Sequence, residues 1–528
     1  EEGTPLDFAH ELFADDLDRI EDNMMRAIDR VPAVGTAGIK RVINGPMIWS
    51  PDSNVLFGPH PDLTNYFCCN GIIPGFSQSG GMGLMSAQWM VEGESQYDMF
   101  AWDVARFGDW ADKAFTKARV GDQYAKRFAI HFPNEERDAG RPVRTRPAHA
   151  LQTTLGGVFG LNYGWEHVQW FADHPGAKDT NGFTRQNWFE PVGRECRMLR
   201  NTAGIIDISN FAKYRVCGGQ AEAWLNAVFA NKMPKAVGRS CLTPLIGVRG
   251  GIAGDFTVTR LAEDEFMIIG SGMAERYHQR FWKMVPMPAG VSFESLTEAL
   301  CGFNVAGPKS RALLQRLTNT SLATEDFPFM RSKRIELAGV DCVALRVSFT
   351  GDLGWELHCK TDDQLRLYEA LLDCAKDFEA GPVGARALMS LRVEKGYGSW
   401  SREYSPEYWP QEVGLAGLIK LDKDFLHKEA YLAIKDKDPR ERLCIVEILA
   451  PDHADATGGE PIFDKAGAGV GRVTSGTYGY GVNKSLALCY LKNVTAGDEL
   501  DVMILGKPHH AIVLPEAPFD PKGKKLRA

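Results

Sequence analysis

A chain of 528 residues exceeds what one hydrophobic core sustains, so two to four domains are expected and a single barrel or sandwich does not fit. A formal net charge of -8 argues against sequence-independent binding of nucleic acid, and 44% apolar residues with no apolar run of about twenty argue for a soluble protein with no membrane partner. Eleven cysteines, scattered from Cys68 to Cys489 without a CxxC pair or zinc spacing, point to a reducing compartment and to no metal site.

The opening, Glu1-Glu2-Gly3-Thr4-Pro5, lacks the basic and apolar regions of a secretory signal and precedes no first strand. A mature product, a fragment or one subunit of a split enzyme is expected. From Phe8 to Ile28 apolar residues recur at helical spacing, which predicts an amphipathic core helix ended by Val31-Pro32. Short strands between turns follow in the stretches 45–58 and 66–69. Next comes a glycine-rich turn, Gly75-Phe76-Ser77-Gln78-Ser79-Gly80-Gly81-Met82-Gly83, and an apolar helix from Leu84 to Val91. Strand, turn and helix together would aim free backbone N–H groups and a helix dipole at an anion. A tight turn whose glycines serve only backbone geometry leaves the same pattern.

From Asp103 to Asn187 the chain is rich in charges, Trp, Pro and Gly and reads as a connecting segment. A new α+β unit begins near Pro191 with a helix over 192–201, then strands at 204–208 and 212–216. Helices at 220–229, 274–284, 309–317, 362–378 and 386–394 are interleaved with further strands. From about Arg442 short strands and close turns favour a small β-barrel or sandwich. There Gly467, Gly469 and Gly471 read as a hairpin, because no helix follows them.

Three segments combine glycine, carboxylate and arginine. In 249–260, Asp255 either faces a cavity or is an exposed turn aspartate. In 348–358, Glu356 lies between Trp355 and Leu357, where a carboxylate must find partners or become protonated; a ring with two adjacent N–H donors would serve. In 384–397, Arg386 opens a helix, where its guanidinium can bind a ligand carboxylate through two parallel hydrogen bonds or pair with an internal acid.

These segments, with the stretches 45–52, 425–430, 473–476 and 518–521, resemble in their joint order the dimethylglycine dehydrogenase and sarcosine dehydrogenase family. The C-terminal half of that family is similar to the glycine-cleavage T-protein, an aminomethyltransferase. The resemblance implies an α+β chain: a remnant of a flavin amine-oxidase domain at 1–105, a linking segment at 106–190, a T-protein-like folate-binding domain at 191–435 and a β-barrel at 436–528. It implies two cofactors, FAD and tetrahydrofolate. Gly75, Phe76, Ser77, Gln78, Ser79 and Gly80 fall where the family meets the flavin. Gln78 stands where relatives can have histidine. The family's N-terminal GxGxxG and flavin-linked histidine are absent from this sequence, so an upstream segment or partner chain is expected to supply the rest of the FAD site.

On the folate side, Asp255 falls on the family's functional aspartate, with Phe256 and Thr257 beside it, and Glu356 on the acid that pairs with the pterin. Leu357, His358 and the segment 414–418 match pterin-lining positions. Phe349 stands where relatives often have Tyr, and Gly417 where they can have an aromatic residue. Arg386 is the expected clamp for the folate glutamate tail. The implied function is oxidative N-demethylation of a small methylated amino acid, with the carbon passed to tetrahydrofolate as 5,10-methylenetetrahydrofolate. Two alternatives stand beside it: a folate-dependent aminomethyltransferase or demethylase without redox activity, and a non-catalytic folate-binding subunit. The implied compartment is the bacterial cytoplasm or the mitochondrial matrix.

Overall fold

The computed structural model describes residues 4–5, 7–449 and 453–528. In the middle of the chain, runs rich in β-branched and aromatic residues form two sheets. One is antiparallel, with five strands in the order Ser292–Ser295, Ala212–Cys217, Glu265–Gly270, Ile252–Ala262 and Ser240–Ile246. The other has six, in the order Ser332–Leu337, Val340–Leu345, Gly354–Lys360, Leu300–Ala306, Gly204–Asp207 and Gly381–Val383, and only its last pair is parallel.

Alternation sends successive residues of each strand to opposite faces. On the five-stranded sheet, Tyr214, Val216, Phe256, Val258 and Phe266 point outward. Trp224 and Leu225 of the helix Ala221–Val228 and Phe281 and Trp282 of the helix Glu275–Lys283 complete that core. On the six-stranded sheet, Phe303, Val305, Trp355 and Leu357 pack outward against the helices Ser310–Gln315 and Gln364–Ala375, where the rings of Phe303 and Tyr368 stack at 4.9 Å. Burying each such large side chain contributes roughly 1.5–3 kcal/mol.

The remaining faces turn toward each other. Met267 and Ile269 of one sheet meet Leu345 of the other. Farther along, Ile206, Ala306 and Val383 are covered by the helices Phe189–Asn201 and Ala385–Glu394. Glu356 lies between these two contacts, because it pairs with Leu345 on one side and Asn304 on the other.

The C-terminal strands close into a barrel in the order Arg442–Ile448, Lys484–Leu491, Gly469–Gly479, Pro461–Asp464, Glu499–Ile504 and Lys507–Val513. Gly469 and Gly471 do lie in a hairpin; a Cβ on Gly471 would sit 1.9 Å from the Tyr490 carbonyl oxygen. Buried ion pairs fasten the barrel and its tail to the sheets. Arg200 meets Asp352 and, at 2.7 Å, Glu394, and lies 3.4 Å from the centre of the Phe519 ring. Arg392 meets Glu403 at 2.7 Å and Ser475 at 2.6 Å, and Lys395 meets Asp520 at 3.2 Å.

The N-terminal part departs from the sequence-based expectations. The helix expected from Phe8 to Ile28 is confined to Glu21–Arg30 after a 3-10 turn at Asp18–Ile20, and it buries no residue. A short helix depends on tertiary packing, and here the apolar stripe makes only local contacts, such as Phe8 on Phe13 and Ile28 beside Gly35, while Glu11 and Asp15 would repel each other at helical spacing. The glycine-rich turn is no turn: Gly75–Glu92 is one continuous helix. Each internal glycine costs it about 1 kcal/mol, yet Met82, Met85 and Trp89 anchor it on the strand Leu56–Pro59 through Phe57. The linking segment is also more ordered than expected. It holds the helix Lys113–Ala125, capped by Asp112, and the hairpin Gly157–Asn162 with Trp165–Phe171. That hairpin requires Gly164, whose φ is +79° and whose Cβ would lie 2.6 Å from Trp110.

Candidate active site

Asp255 and Thr257 alternate with the core residues Phe256 and Val258, so they occupy the inner face of their sheet. Cross-strand register places Thr257, Ile269 and Lys213 in one row on that face. The same rule puts Glu356 and His358 on the inner face of the six-stranded sheet, opposite in direction to Trp355 and Leu357. The two acids picked out in the sequence therefore look into the layer between the sheets from opposite walls.

The walls differ in electrostatics. The Asp255 carboxyl is half-buried, and only its own backbone N–H favours the charged form, so burial raises its pKa from 3.8 to about 6. It can hold or release a proton near neutral pH. Tyr404 lies close enough to feel its charge; burial and Asp255 together push the phenol well above its ordinary range. Gly254 and Gly270 make room for Phe256 behind Asp255, since a Cβ on either would approach that ring to 2.7 or 2.6 Å.

Glu356 retains 18% exposure of its side chain, and its ionic neighbour is His358, with Nε2 3.7 Å from Oε2, longer than a hydrogen bond. Burial pushes the His358 pKa down against the pull of Glu356, and Lys213 lowers it further, so the ring is neutral at pH 7. Gly302 admits that ring; a Cβ there would stand 2.9 Å from Nδ1. A carboxylate beside a neutral imidazole keeps its capacity to accept from a pair of N–H donors.

Other residues singled out in the sequence are placed differently. Phe256 and Leu357 are core side chains and line no site. Phe349 is half-buried and stacks on Tyr397 at 5.9 Å. Arg386 is committed internally: both its terminal nitrogens donate to Asp179 at 2.8 Å, and its guanidinium lies 4.8 Å from the Trp188 ring centre. The clamp for a folate tail is therefore corrected to an internal ion pair. Gly417 is exposed in the 3-10 turn Ala416–Leu418, and a Cβ there would meet nothing within 4 Å. Gly75, Phe76, Ser77, Gln78, Ser79 and Gly80 form the first turns of a helix with no side-chain cap, and Phe76 is fully exposed. The first backbone N–H groups of that helix lack an intrahelical acceptor, as at any helix start.

Two contributors escaped the sequence reading. Lys213 is wholly buried; its ammonium donates to the carbonyls of Ser209 and Phe211 at 2.9 Å, and burial lowers its pKa to about 8. A lysine alternating with Ala212 and Tyr214 reads as a solvent face unless both faces of the sheet are known to be covered. Tyr404 lay in a stretch without periodicity.

The GCVT N-terminal domain family matches residues 148–423, more than half of the chain. The chain belongs to that family. The glycine cleavage T-protein C-terminal barrel domain matches residues 441–520 of this GCVT chain, and the FAD dependent oxidoreductase central domain matches residues 92–145. The chain is 35% identical to mitochondrial dimethylglycine dehydrogenase of Mus musculus, over 97% of its own length and 60% of that protein's. It is 28% identical to mitochondrial sarcosine dehydrogenase of Homo sapiens, over 98% of its own length and 62% of that protein's. The chain thus spans about 60% of the length of these relatives. The crystal structure of glycine cleavage system aminomethyltransferase T from Bartonella henselae shares the fold, with a TM-score of 0.62 at 23% identity over 71% of this chain and 98% of that one. The expected family resemblance is found. So is the fold class, α+β with a T-protein-like region and a terminal barrel behind a flavin-oxidoreductase segment.

Proposed function

We propose that this chain is the folate-side portion of an FAD- and tetrahydrofolate-dependent enzyme that removes an N-methyl group from a small amino acid of the dimethylglycine or sarcosine type. Its relatives' names support the substrate class, and the word mitochondrial in those names supports the mitochondrion as one compartment, with the matrix part of this proposal. The observation that carries the reading is the pair of facing acids, one without a cationic partner and one beside a neutral histidine.

The residues fit a reduced pterin. Glu356 would hold it by accepting from its exocyclic amine and adjacent ring N–H, a pairing of one carboxylate with two donors. Phe349 offers a stacking face at one rim. When bound, FAD would supply hydride acceptance from an N-methyl carbon, and tetrahydrofolate would supply the nitrogens that receive the one-carbon unit at the methylene level. Asp255 holds a proton at its carboxyl or gives it up to the reacting nitrogens, and its charged form stabilises a cationic carbon–nitrogen centre. The inward-facing apolar residues Ile269 and Leu345 keep bulk water from that centre. The four-part division at residues 105, 190 and 435 belongs to this proposal, as does an upstream segment or partner chain that completes the FAD site.

The test is calorimetric titration of the chain with tetrahydrofolate, followed by methylene transfer with the missing flavin portion supplied. Asp255→Ala is expected to slow folate-product formation while amine oxidation continues. No affinity for tetrahydrofolate in the unaltered chain would sink the reading.

A further inference from the structure

A cavity of about 250 Å³ lies outside the inter-sheet layer, where the end of the helix Gly75–Glu92 meets the helix Glu275–Lys283. Its walls include Trp89, Met99, Phe100, Tyr277 and Phe281. The charged or titratable groups that face it are Glu94, His60, Arg280, Lys283 and the phenols of Tyr97 and Tyr277.

Most of these are spent. Arg280 pairs with Asp103 and donates to the Pro59 carbonyl at 2.7 Å. His60 is neutral, since burial and the nearby Arg276 and Arg280 lower its pKa. Burial pushes the Tyr277 phenol well above its ordinary range. Glu94 remains, and Lys283 is only partly engaged. Glu94 accepts from the backbone N–H of Arg249 at a long 3.3 Å, and burial raises its pKa to about 7, against the pull of Arg249 and with a push from Asp98. Lys283 is 58% exposed, donating to the Pro61 carbonyl at 2.8 Å and lying 3.9 Å from Asp62. Capping the turn at Gly247–Gly250 gives Glu94 a structural role, and Trp89, Phe100, Tyr277 and Phe281 also pack in the flanking cores, yet the space between them is left open.

We propose that this cavity binds a zwitterionic N-methylated amino acid, with the ammonium on Glu94, the methyl groups against Trp89, Tyr277 and Phe281, and the carboxylate toward Lys283. Aromatic faces with one acid are the chemistry that selects methylated ammonium over a bare one. The inference rests on the amine-substrate reading above and adds a second site to it. From Gly75 to Trp89 the helix advances about 21 Å, so an amine held here is out of reach of a flavin at the helix start. The site stores or senses the amine without oxidising it.

The experiment is calorimetric titration of the full chain, without flavin, with dimethylglycine. Glu94→Gln and Leu63→Trp are expected to weaken binding at least tenfold, and glycine to bind the unaltered chain at least tenfold more weakly than dimethylglycine. Leu63 is 53% exposed at the cavity wall, so filling from that side leaves the turn capped by Glu94 intact and separates a blocked cavity from a damaged fold. Absence of binding in the unaltered chain, or equal affinity in all three proteins, overturns the proposal. Tetrahydrofolate titrated into the same samples is expected to bind all three alike. A chain that takes dimethylglycine but not tetrahydrofolate refutes the folate reading and leaves this one standing, and the opposite result does the reverse.

Discussion

Asp255→Asn is predicted to stabilise the protein at neutral pH. The folded chain holds the Asp255 proton up to about pH 6, whereas the side chain ordinarily gives it up near 3.8. At 1.36 kcal/mol per pH unit this interval corresponds to about 3 kcal/mol. The folded pKa is the raised one, so the favourable contribution is complete below 3.8 and is lost as pH rises through about 6. Above that, the native state carries an ionised carboxylate with no cation beside it. An amide of the same shape carries no such charge. Asparagine should therefore match the parent protein near pH 3.8 and exceed it by about 3 kcal/mol at pH 7.5, a rise in melting temperature of roughly 6–12 °C for a unit of this size.

The assay is urea unfolding of both proteins at pH 4 and pH 7.5, with melting temperatures recorded in parallel. A stability gain independent of pH, or a loss at pH 7.5, would refute the argument that the carboxyl is desolvated and unpaired. A residue retained at such a cost is explained by function and not by folding, and the same variant should fail in methylene transfer.

Three further perturbations follow from the contacts. Glu356→Gln should weaken tetrahydrofolate binding by roughly 10- to 100-fold, the value of a hydrogen bond to a charged acceptor, with little effect on melting; calorimetry within twofold of the parent would exclude the pairing. Arg200→Met strands Asp352 and Glu394 together in the interior and should cost about 3–5 kcal/mol; limited proteolysis should then release the barrel early, and an unchanged cleavage pattern would count against the ion pairs as fasteners. Arg386→Ala should lower stability by freeing Asp179 while changing affinity for tetrahydrofolate less than about threefold; a larger loss measured with polyglutamylated folate would restore the clamp.

The elements most legible in the sequence were those with clean periodicity. The strand of Asp255, the strand of Glu356 and the barrel hairpin at Gly469 all lie where alternation and turn glycines put them. Taking Phe256 and Leu357 as site residues failed for a reason the sequence already contained: neighbours along a strand face opposite ways, so a site holding residues 255 and 257 cannot also hold 256. Arg386 failed differently. Its partner, Asp179, lies 207 positions away, inside a segment with no periodic signal. The N-terminal stripe failed because amphipathicity states what a helix would bury, whereas Phe8 and Phe13 pack on each other and Leu12 lies beside Gly45 in a non-helical segment.

The motif acids themselves separate into two kinds by their partners, a distinction that spacing does not reveal. Asp352 and Glu394 share Arg200, and Glu403 has Arg392 at 2.7 Å. Each of these acids has a guanidinium partner in the interior, with Asp352 and Glu394 sharing one, which suits a fastener and leaves little to offer a ligand. Asp352 stands two residues before the strand of Glu356, while Glu394 leads through Tyr397, stacked on Phe349, toward Tyr404 beside Asp255. The paired acids therefore fix the rims of the layer into which the two acids without an arginine partner project. Since the arginines are used up on the rims, a reduced pterin entering that layer would find carboxylates free to accept its N–H groups, which is why its binding and the integrity of the ion pairs should be separable by mutation.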